Sequence, residues 1–142
     1  MVEMSAAMKE FTRRAAFSGL QMQKCADCGA VVWPPRDACS VCWSQELPWT
    51  EIPASGVLIA ITTLHTSMEE FFRARLPWRI GTIRLDAGPV AYAHLHQALK
   101  EGDAVRLEAH LDYKGRGVLV ASPPAGGEND PKLSDLISKR EE

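Results

Sequence analysis

The chain has 142 residues, of which 46% are hydrophobic and 24% charged, and its formal net charge is −2. This length suits one domain or two small units in series, and the charge gives no general attraction to nucleic acids or anionic membranes. No apolar run approaches the roughly 20 residues that span a bilayer. The N-terminal sequence MVEMSAAMKEFTRR lacks the apolar core and cleavage site of a signal peptide. We therefore expect a cytoplasmic protein with reduced thiols.

The first predicted unit, residues 1–20, is an N-terminal amphipathic helix, with the helical pattern itself running over residues 3–20. Gly19 has the residue type that favours a helix C-cap. The apolar residues recur at roughly helical spacing: Met4, Met8, Phe11, Ala15 and Leu20.

The second unit, residues 21–48, contains every cysteine of the chain. They form two Cys-x-x-Cys pairs separated by ten residues: Cys25, Cys28, Cys39 and Cys42. Two such turns can direct four thiolates at one tetrahedral Zn²⁺ ion, which predicts a zinc ribbon. Gly29 follows the first pair, where a metal-binding turn needs an unhindered backbone. Trp43 occupies the matching position of the second pair, so we expect the second turn to be less regular.

A closed four-thiolate site has no open coordination position, so the predicted role of the metal is structural. It stabilises a small fold and does not activate water. A redox Cys-x-x-Cys pair would need a helix start within a βαβ unit, and neither pair has that setting. Iron is chemically possible and the spacing does not separate it from zinc, although zinc is commoner in such sites.

The third unit, residues 49–122, changes to a strand pattern. Turn signals lie between the segments, as at Glu101-Gly102-Asp103. Five apolar or alternating stretches predict five strands: GVLIAITTLH, WRIGTIRLD, PVAYAHLH, AVRLEAHL and GVLVAS. Five strands with no long helix between them favour a small antiparallel barrel or sandwich, and the predicted fold class is mainly β.

The last unit, residues 123–142, reads as a linker, PPAGGEND, followed by a short helical tail. Asp130 is placed to cap this helix, with Pro131 at its first position. Its apolar stripe is small: Leu133, Leu136 and Ile137. The stripe can pack on the barrel of the same chain or on a partner, and the sequence does not decide between them.

No catalytic constellation is recognisable in the sequence. The candidate general bases are the histidines: His65, His94, His96 and His110. His94 and His96 alternate on one predicted strand, but a third ligand for a second metal is missing, so a polar or satisfied pair is the simpler interpretation. No nucleophile elbow, phosphate loop or dinucleotide fingerprint occurs. We therefore do not expect the chain to be an enzyme by itself.

The segment TSMEEFFRARLPW, residues 66–78, interrupts the predicted barrel. Its large apolar residues can cap an open end of the barrel or meet a partner or ligand: Met68, Phe71, Phe72 and Leu76. Nearby arginines can steer a phosphate, although solvated arginines are the simpler interpretation: Arg73, Arg75 and Arg79.

Several of these stretches, taken in order, resemble a known family over about residues 8–122. They are Gln21-x-Gln23-x-Cys25-x-x-Cys28-Gly29, Trp33-Pro34-Pro35-Arg36, Cys39-x-x-Cys42, Pro77-Trp78-Arg79-Ile80-Gly81, Ile83-x-Leu85-Asp86 and Leu99-x-x-Gly102-x-x-Val105. This order resembles the DUF35 family, which pairs a rubredoxin-like zinc ribbon with an OB-fold. Trp43, where a glycine is usual, and the arginine-bearing 66–78 segment depart from the family pattern.

The resemblance implies a non-catalytic accessory subunit of a thiolase-like acyl-CoA enzyme, or of a related aldolase or hydratase. The partner would supply the catalytic residues, and a CoA thioester would be the substrate of the complex. Degradation of aromatic or steroid acyl chains is one pathway in which such complexes occur. Residues that could then contact CoA or the partner are Arg36, Phe71, Phe72, Arg73, Arg75 and Arg79.

Two other functions stay open at this point. Zinc ribbons and OB-folds also bind nucleic acids, but the chain is acidic and its strands carry few aromatic residues to stack on bases. A stand-alone acyl-CoA-binding protein is the second alternative. The sequence therefore favours a hetero-oligomer that binds neither nucleic acid nor membrane.

Overall fold

The computed structural model describes residues 6–15, 20–126 and 128–137. It has three short helices, α1 (Ala6–Ala15), α2 (Glu70–Arg73) and α3 (Pro131–Leu136). Its strands are β1 (Gln21–Lys24), β2 (Val31–Val32), β3 (Trp49–Glu51), β4 (Ser55–Leu64), β5 (Trp78–Leu85), β6 (Val90–Leu95), β7 (Ala104–Leu111) and β8 (Gly117–Ser122). None of the described helices is long and apolar enough to cross a membrane.

Helix α1 is amphipathic, as its apolar spacing predicts. Its inner face buries Phe11, while Arg13 and Arg14 near its end pair with Glu10 at 2.7 Å and 2.6 Å. Leu20, which the prediction placed at the end of this helix, instead lies just before β1, where its carbonyl accepts a hydrogen bond from the Ile52 N–H. Met4 and Gly19, which the prediction also used, lie outside the described residues.

Strands β1, β2 and β3 form a small antiparallel sheet in the order β2-β1-β3. Gln23 on the central strand is buried, so its amide needs hydrogen-bond partners. It donates to the Arg36 carbonyl at 2.7 Å and accepts from the Arg36 N–H at 2.8 Å. One buried side chain thereby fixes the loop between the two cysteine pairs against the sheet.

The other five strands close into a barrel with the order β4-β5-β6-β8-β7. Strand β4 pairs antiparallel with β5 and with β7, and β6 pairs parallel with β8. The alternating sequence produces this barrel because every second residue of a strand points to the interior. The prediction of a mainly β chain with a five-stranded barrel is confirmed.

The main core fills the barrel and extends to α1 and to the small sheet. Leu58 and Ile83 are completely buried inside it. Gly81 is required there, because a β-carbon at this position would lie 2.4 Å from Leu95 Cδ2 and 2.7 Å from Leu58 Cδ1. Phe11 of α1 belongs to the same cluster, so helix and barrel share one core.

Helix α3 packs on the barrel of its own chain, which decides between the two options that the sequence left open. Leu133 and Leu136 are buried in a second cluster with Trp78 and Val120. Asp130 caps the helix as predicted, accepting from the Lys132 N–H at 3.0 Å. It also accepts from the Gln97 N–H at 2.7 Å, which ties the start of the helix to the end of β6.

Candidate metal centre and neighbouring surfaces

The four cysteine sulfurs converge on one point. All four lie within 4.8 Å of one another, with Cys25 Sγ 3.5 Å from Cys42 Sγ and Cys28 Sγ 3.6 Å from Cys39 Sγ. Four thiolates at about 2.3 Å from a tetrahedral ion would be about 3.8 Å apart. The donor set therefore fits a structural zinc ion. Among the described residues it is the one His, Cys, Asp or Glu group of this kind that could hold a metal.

Backbone N–H groups prepare two of these sulfurs for metal binding. The N–H of Cys28 faces Cys25 Sγ at 3.5 Å and lowers the pKa of the Cys25 thiol to about 6. The N–H groups of Cys42 and Val41 likewise lower the pKa of Cys39. Stabilising the thiolate in this way favours the form that binds metal.

Cys42 shows why four sulfurs this close need a cation. The N–H of Ser44 acts to lower the pKa of Cys42, but hydrogen bonding with the other three cysteine sulfurs, Cys25 foremost, together with partial desolvation outweighs it and raises that pKa to about 12. Repulsion between thiolates at this distance disfavours the ionisation of all four thiols, and a bound divalent cation would offset that repulsion. Cys25 and Cys39 are buried and Cys28 and Cys42 are exposed, so the centre lies near the surface of the ribbon.

The second metal-binding turn is as regular as the first, contrary to the prediction. Gly29 and Trp43 both have left-handed backbones, with φ of 80° and 68°. The Gly29 N–H donates to the Cys25 carbonyl and the Trp43 N–H to the Cys39 carbonyl, each at 2.9 Å. A left-handed conformation costs a residue with a β-carbon about 1–2 kcal/mol, so Trp43 carries a strain that Gly29 avoids.

The four histidines do not assemble into a site. His96 is buried, accepts from the Ala98 N–H through Nδ1 and lies 2.5 Å from the Glu128 carbonyl through Nε2. His94 accepts from Trp78 Nε1 at 2.9 Å, so His94 and His96 each have hydrogen-bond partners of their own. His65 is exposed after β4, and His110 Nε2 lies 2.9 Å from a carboxylate oxygen of Glu108.

A cleft of about 320 Å³ opens between α1, the 66–78 segment and the β7–β8 turn. Arg116 in its wall binds Asp112 at 2.8 Å and Glu69 at 3.1 Å, and this contact lowers the pKa of Glu69. Because Asp112 and Glu69 already balance the positive charge of the Arg116 guanidinium, the cleft offers little attraction to a phosphate. His94 and Phe72 also line the cleft, and their rings are nearly parallel at 6.1 Å.

The environment of His94 predicts a specific loss of stability in acid. Burial lowers the pKa of His94 to about 4, against about 6.5 in the unfolded chain. Between these values the unfolded chain binds a proton that the folded chain does not, so the free energy of unfolding falls as pH falls. From about pH 7.5 to about pH 5 this contributes about 2 kcal/mol.

Urea unfolding at a series of pH values tests this expectation. The variant His94→Gln, which keeps an acceptor for the Trp78 indole, should lose this part of the pH dependence. Any effect of acid on the metal centre is common to both proteins and cancels in their difference. If the free energy of unfolding fell with pH equally in both proteins over this range, His94 would not be the group responsible.

The 66–78 segment folds onto the barrel, and most of its large apolar residues pack internally. The Phe71 and Phe72 rings are 5.1 Å apart, and Phe71 stacks on Tyr113 at 4.2 Å. Both rings are half-buried against the cluster around Trp78, so they act as a cap on the barrel. Met68 differs, because its side chain is 95% exposed.

The four candidate arginines differ in exposure and in the groups that they contact. Arg75 lies over the Phe71 ring at 3.9 Å and pairs with Asp135 at 3.2 Å. Arg79 donates to the carbonyls of Gln97 and Leu99. Arg36 is exposed on the ribbon, and Arg73 is exposed on α2, where it donates to the Met68 carbonyl at 3.3 Å.

Sequence reasoning missed the ionic contacts between the 66–78 segment and the β7–β8 turn. Glu69 accepts from Arg116 and from the Tyr113 hydroxyl, which are more than forty residues away. Asp112 shapes the β7–β8 turn, where its carboxylate accepts from the N–H groups of Lys114 and Arg116. No local pattern signals the Glu69 contacts, because they depend on how two distant loops meet.

Comparison with known proteins agrees with this architecture. The family model described as "ChsH2, rubredoxin-like zinc ribbon domain" matches residues 20–48, and "ChsH2, C-terminal OB-fold domain" matches residues 49–110. No curated protein matches the chain.

Two solved structures share the fold at low sequence identity. One, named "Ltp2-ChsH2(DUF35) aldolase", is 18% identical with a TM-score of 0.69, over 87% of this chain and 98% of the other. A DUF35 protein of unknown function from Sulfolobus solfataricus is 16% identical with a TM-score of 0.57, over 84% and 86%. With two adjoining family models matched over more than half of its length, the chain belongs to the DUF35 family, as a ChsH2-type zinc ribbon followed by an OB-fold.

Proposed function

We propose that the chain is a non-catalytic accessory subunit that assembles with a thiolase-like acyl-CoA enzyme, which makes or breaks a carbon–carbon bond beside a CoA thioester. The observation that carries the proposal is the match to both ChsH2 domains together with a metal centre whose four thiolates complete a tetrahedral shell. The similar structure named "Ltp2-ChsH2(DUF35) aldolase" supports a partner of this kind.

The chemistry of the described residues supports a complex in which the partner is catalytic and this chain is not. All four cysteines of the chain belong to the metal centre, and a complete thiolate shell cannot activate water. His94 and His96 are each engaged in hydrogen bonds within the chain, His94 with the Trp78 indole and His96 with the Ala98 N–H. The partner therefore supplies the nucleophile and base, and this chain supplies binding surface.

A native pull-down from the source organism, with native mass measurement, tests the proposal. We expect a thiolase-fold polypeptide to co-purify with the chain in a fixed ratio. A zinc-bearing chain recovered alone, under conditions that preserve weak complexes, would contradict it. Titrations of the isolated chain with acyl-CoA and with single-stranded oligonucleotides at low salt would then distinguish the two alternatives.

The barrel surface gives little support to the nucleic-acid alternative. Single-stranded nucleic acids bind OB-folds through aromatic side chains on which bases stack. Of the three aromatic residues on or directly after the barrel strands β4–β8, Trp78 is buried and Tyr113 packs against Phe71. Only Tyr92 of these three is strongly exposed, at 72%.

We also propose that exposed arginines of this chain contact the CoA phosphates in the assembled enzyme. Arg36 and Arg73 suit this role because they are exposed, whereas Arg75 and Arg79 are half-buried and bonded to other parts of the chain. Phe71 and Phe72 would contribute by holding α2 in place, with Met68 and Arg73 facing the partner or the ligand.

The double variant Arg36→Ala, Arg73→Ala should weaken acyl-CoA binding by the complex about tenfold for each arginine replaced, because charge-assisted hydrogen bonds are among the stronger ones. Calorimetric titration of the complex measures this affinity. Arg106→Ala, at an exposed position on β7, is the matched control and should have no effect. An unchanged affinity in the double variant would exclude these two arginines from the CoA site.

A further inference from the structure

Trp43 combines backbone strain with an exposed side chain. Its φ of 68° is one that glycine adopts freely, yet the position holds the largest side chain type in proteins. The indole is 79% exposed, so packing within the chain does not compensate the strain. A strained backbone that carries an unpacked side chain points to a role outside the fold of the chain itself.

The surroundings of Trp43 define what can cover it. Val41, two residues earlier, is also exposed, at 68%, so the turn presents a small apolar surface. A carboxylate lies beside it, because Asp27 accepts from the Ser44 hydroxyl at 2.5 Å. The surface is therefore an apolar tip with a carboxylate at its base.

The side chains of the ribbon, residues 21–48, carry a net negative charge. Between residues 21 and 48 the positive side chains are Lys24 and Arg36, and the negative ones are Asp27, Asp37 and Glu46. Four thiolates around a divalent ion add further negative charge close to the surface, since Cys28 and Cys42 are exposed. A complementary surface has an apolar pocket with lysine or arginine at its rim, and a cation can also lie against the indole face.

We propose that Trp43 is the anchor by which the ribbon docks on the thiolase-like subunit, in an apolar pocket with a basic rim. This inference rests on the proposed function and names the surface that makes the contact. Tryptophan suits the role because buried tryptophans account for a large share of the binding energy at many protein interfaces. The strain is retained because glycine, which the turn would favour, has no side chain to insert.

The test uses the thiolase-like subunit that co-purifies with the wild-type chain as the titrant. Trp43→Gly should raise the urea midpoint of the isolated chain and weaken binding about thirtyfold or more. Trp43→Ala keeps the left-handed strain, so it should weaken binding without raising the midpoint. Trp43→Phe retains an aromatic ring and should retain most of the affinity. Tyr92→Ala, which removes an exposed aromatic from the barrel, is the matched control and should bind like the wild type.

The outcomes separate this inference from the proposed function. If Trp43→Gly bound with wild-type affinity, Trp43 would not be the anchor, and the accessory-subunit proposal would be unaffected. Recovery of no thiolase-like subunit with the wild-type chain would instead remove the proposed function. If the isolated chain dimerises and Trp43→Gly is monomeric, the indole anchors a second copy of this chain, which also overturns the inference.

Discussion

Replacing Cys39 by serine is expected to abolish metal binding and unfold the ribbon while the barrel remains folded. Cys39 is completely buried, and the local core around it is small: Cys25, Val32 and Cys39, with Ala30 and Leu47 at its edge. Such a core cannot hold a fold alone, and structural zinc contributes on the order of 10 kcal/mol to small metal-dependent modules. The barrel is built around a larger core, most of which its own strands supply.

Metal analysis should show about one ion per wild-type chain and almost none in Cys39→Ser. Hydrogen exchange should show residues 24–47 unprotected in the variant and residues 55–122 still protected. Treating the wild-type chain with a chelator should give the same pattern. Ser40→Ala, at the exposed neighbouring position, is the control and should keep both metal and protection. Full zinc content in Cys39→Ser would contradict the four-thiolate centre.

Replacing Phe11 by alanine is expected to lower the free energy of unfolding by about 3–5 kcal/mol. Phe11 is 1% exposed and lies where helix, ribbon and barrel meet. Its ring packs edge-on against Trp33 at 4.8 Å and is stacked with Trp49 at 6.4 Å. A β-carbon at Gly117 would lie 3.0 Å from the same ring, so the backbone of β8 approaches the ring closely and alanine would leave a cavity between helix and barrel.

Urea unfolding followed by tryptophan fluorescence measures this destabilisation, because Trp33 and Trp49 report directly on the affected packing. Phe11→Leu fills most of the volume and should cost less than about 1.5 kcal/mol. Hydrogen exchange of Phe11→Ala should show reduced protection in α1 before the barrel opens. If the free energy of unfolding of Phe11→Ala lay within about 1 kcal/mol of the wild-type value, α1 would contribute little to the shared core.

Local patterns predicted most of the described secondary structure. The five barrel strands begin and end within a residue or two of the predicted stretches, because alternation and glycine-containing turns are properties of short segments. The short helix capped by Asp130 follows from local chemistry in the same way. Leu20 departs from the predicted helix, since its carbonyl accepts from the N–H of the distant Ile52 just before β1.

The conformation of Trp43 differs from what its local sequence predicts. Its side chain led to the expectation of an irregular turn, because residues with a β-carbon avoid positive φ. In the structure the turn at Trp43 repeats the turn at Gly29, with the same N–H to carbonyl bond. Bringing the four sulfurs together imposes the same backbone on both pairs, and that constraint outweighs the local preference of one residue.

By itself, the sequence determined the four metal-binding cysteines, the alternating strands and the capped helix α3, because spacing, alternation and caps act over a few residues. Only the tertiary structure decided that α3 packs on the barrel, that Phe71 and Phe72 cap it, and that Glu69 meets Arg116. These features depend on which distant segments of the chain come together. Such pairings are selected by the packing of the whole core, and no short stretch of sequence contains that information.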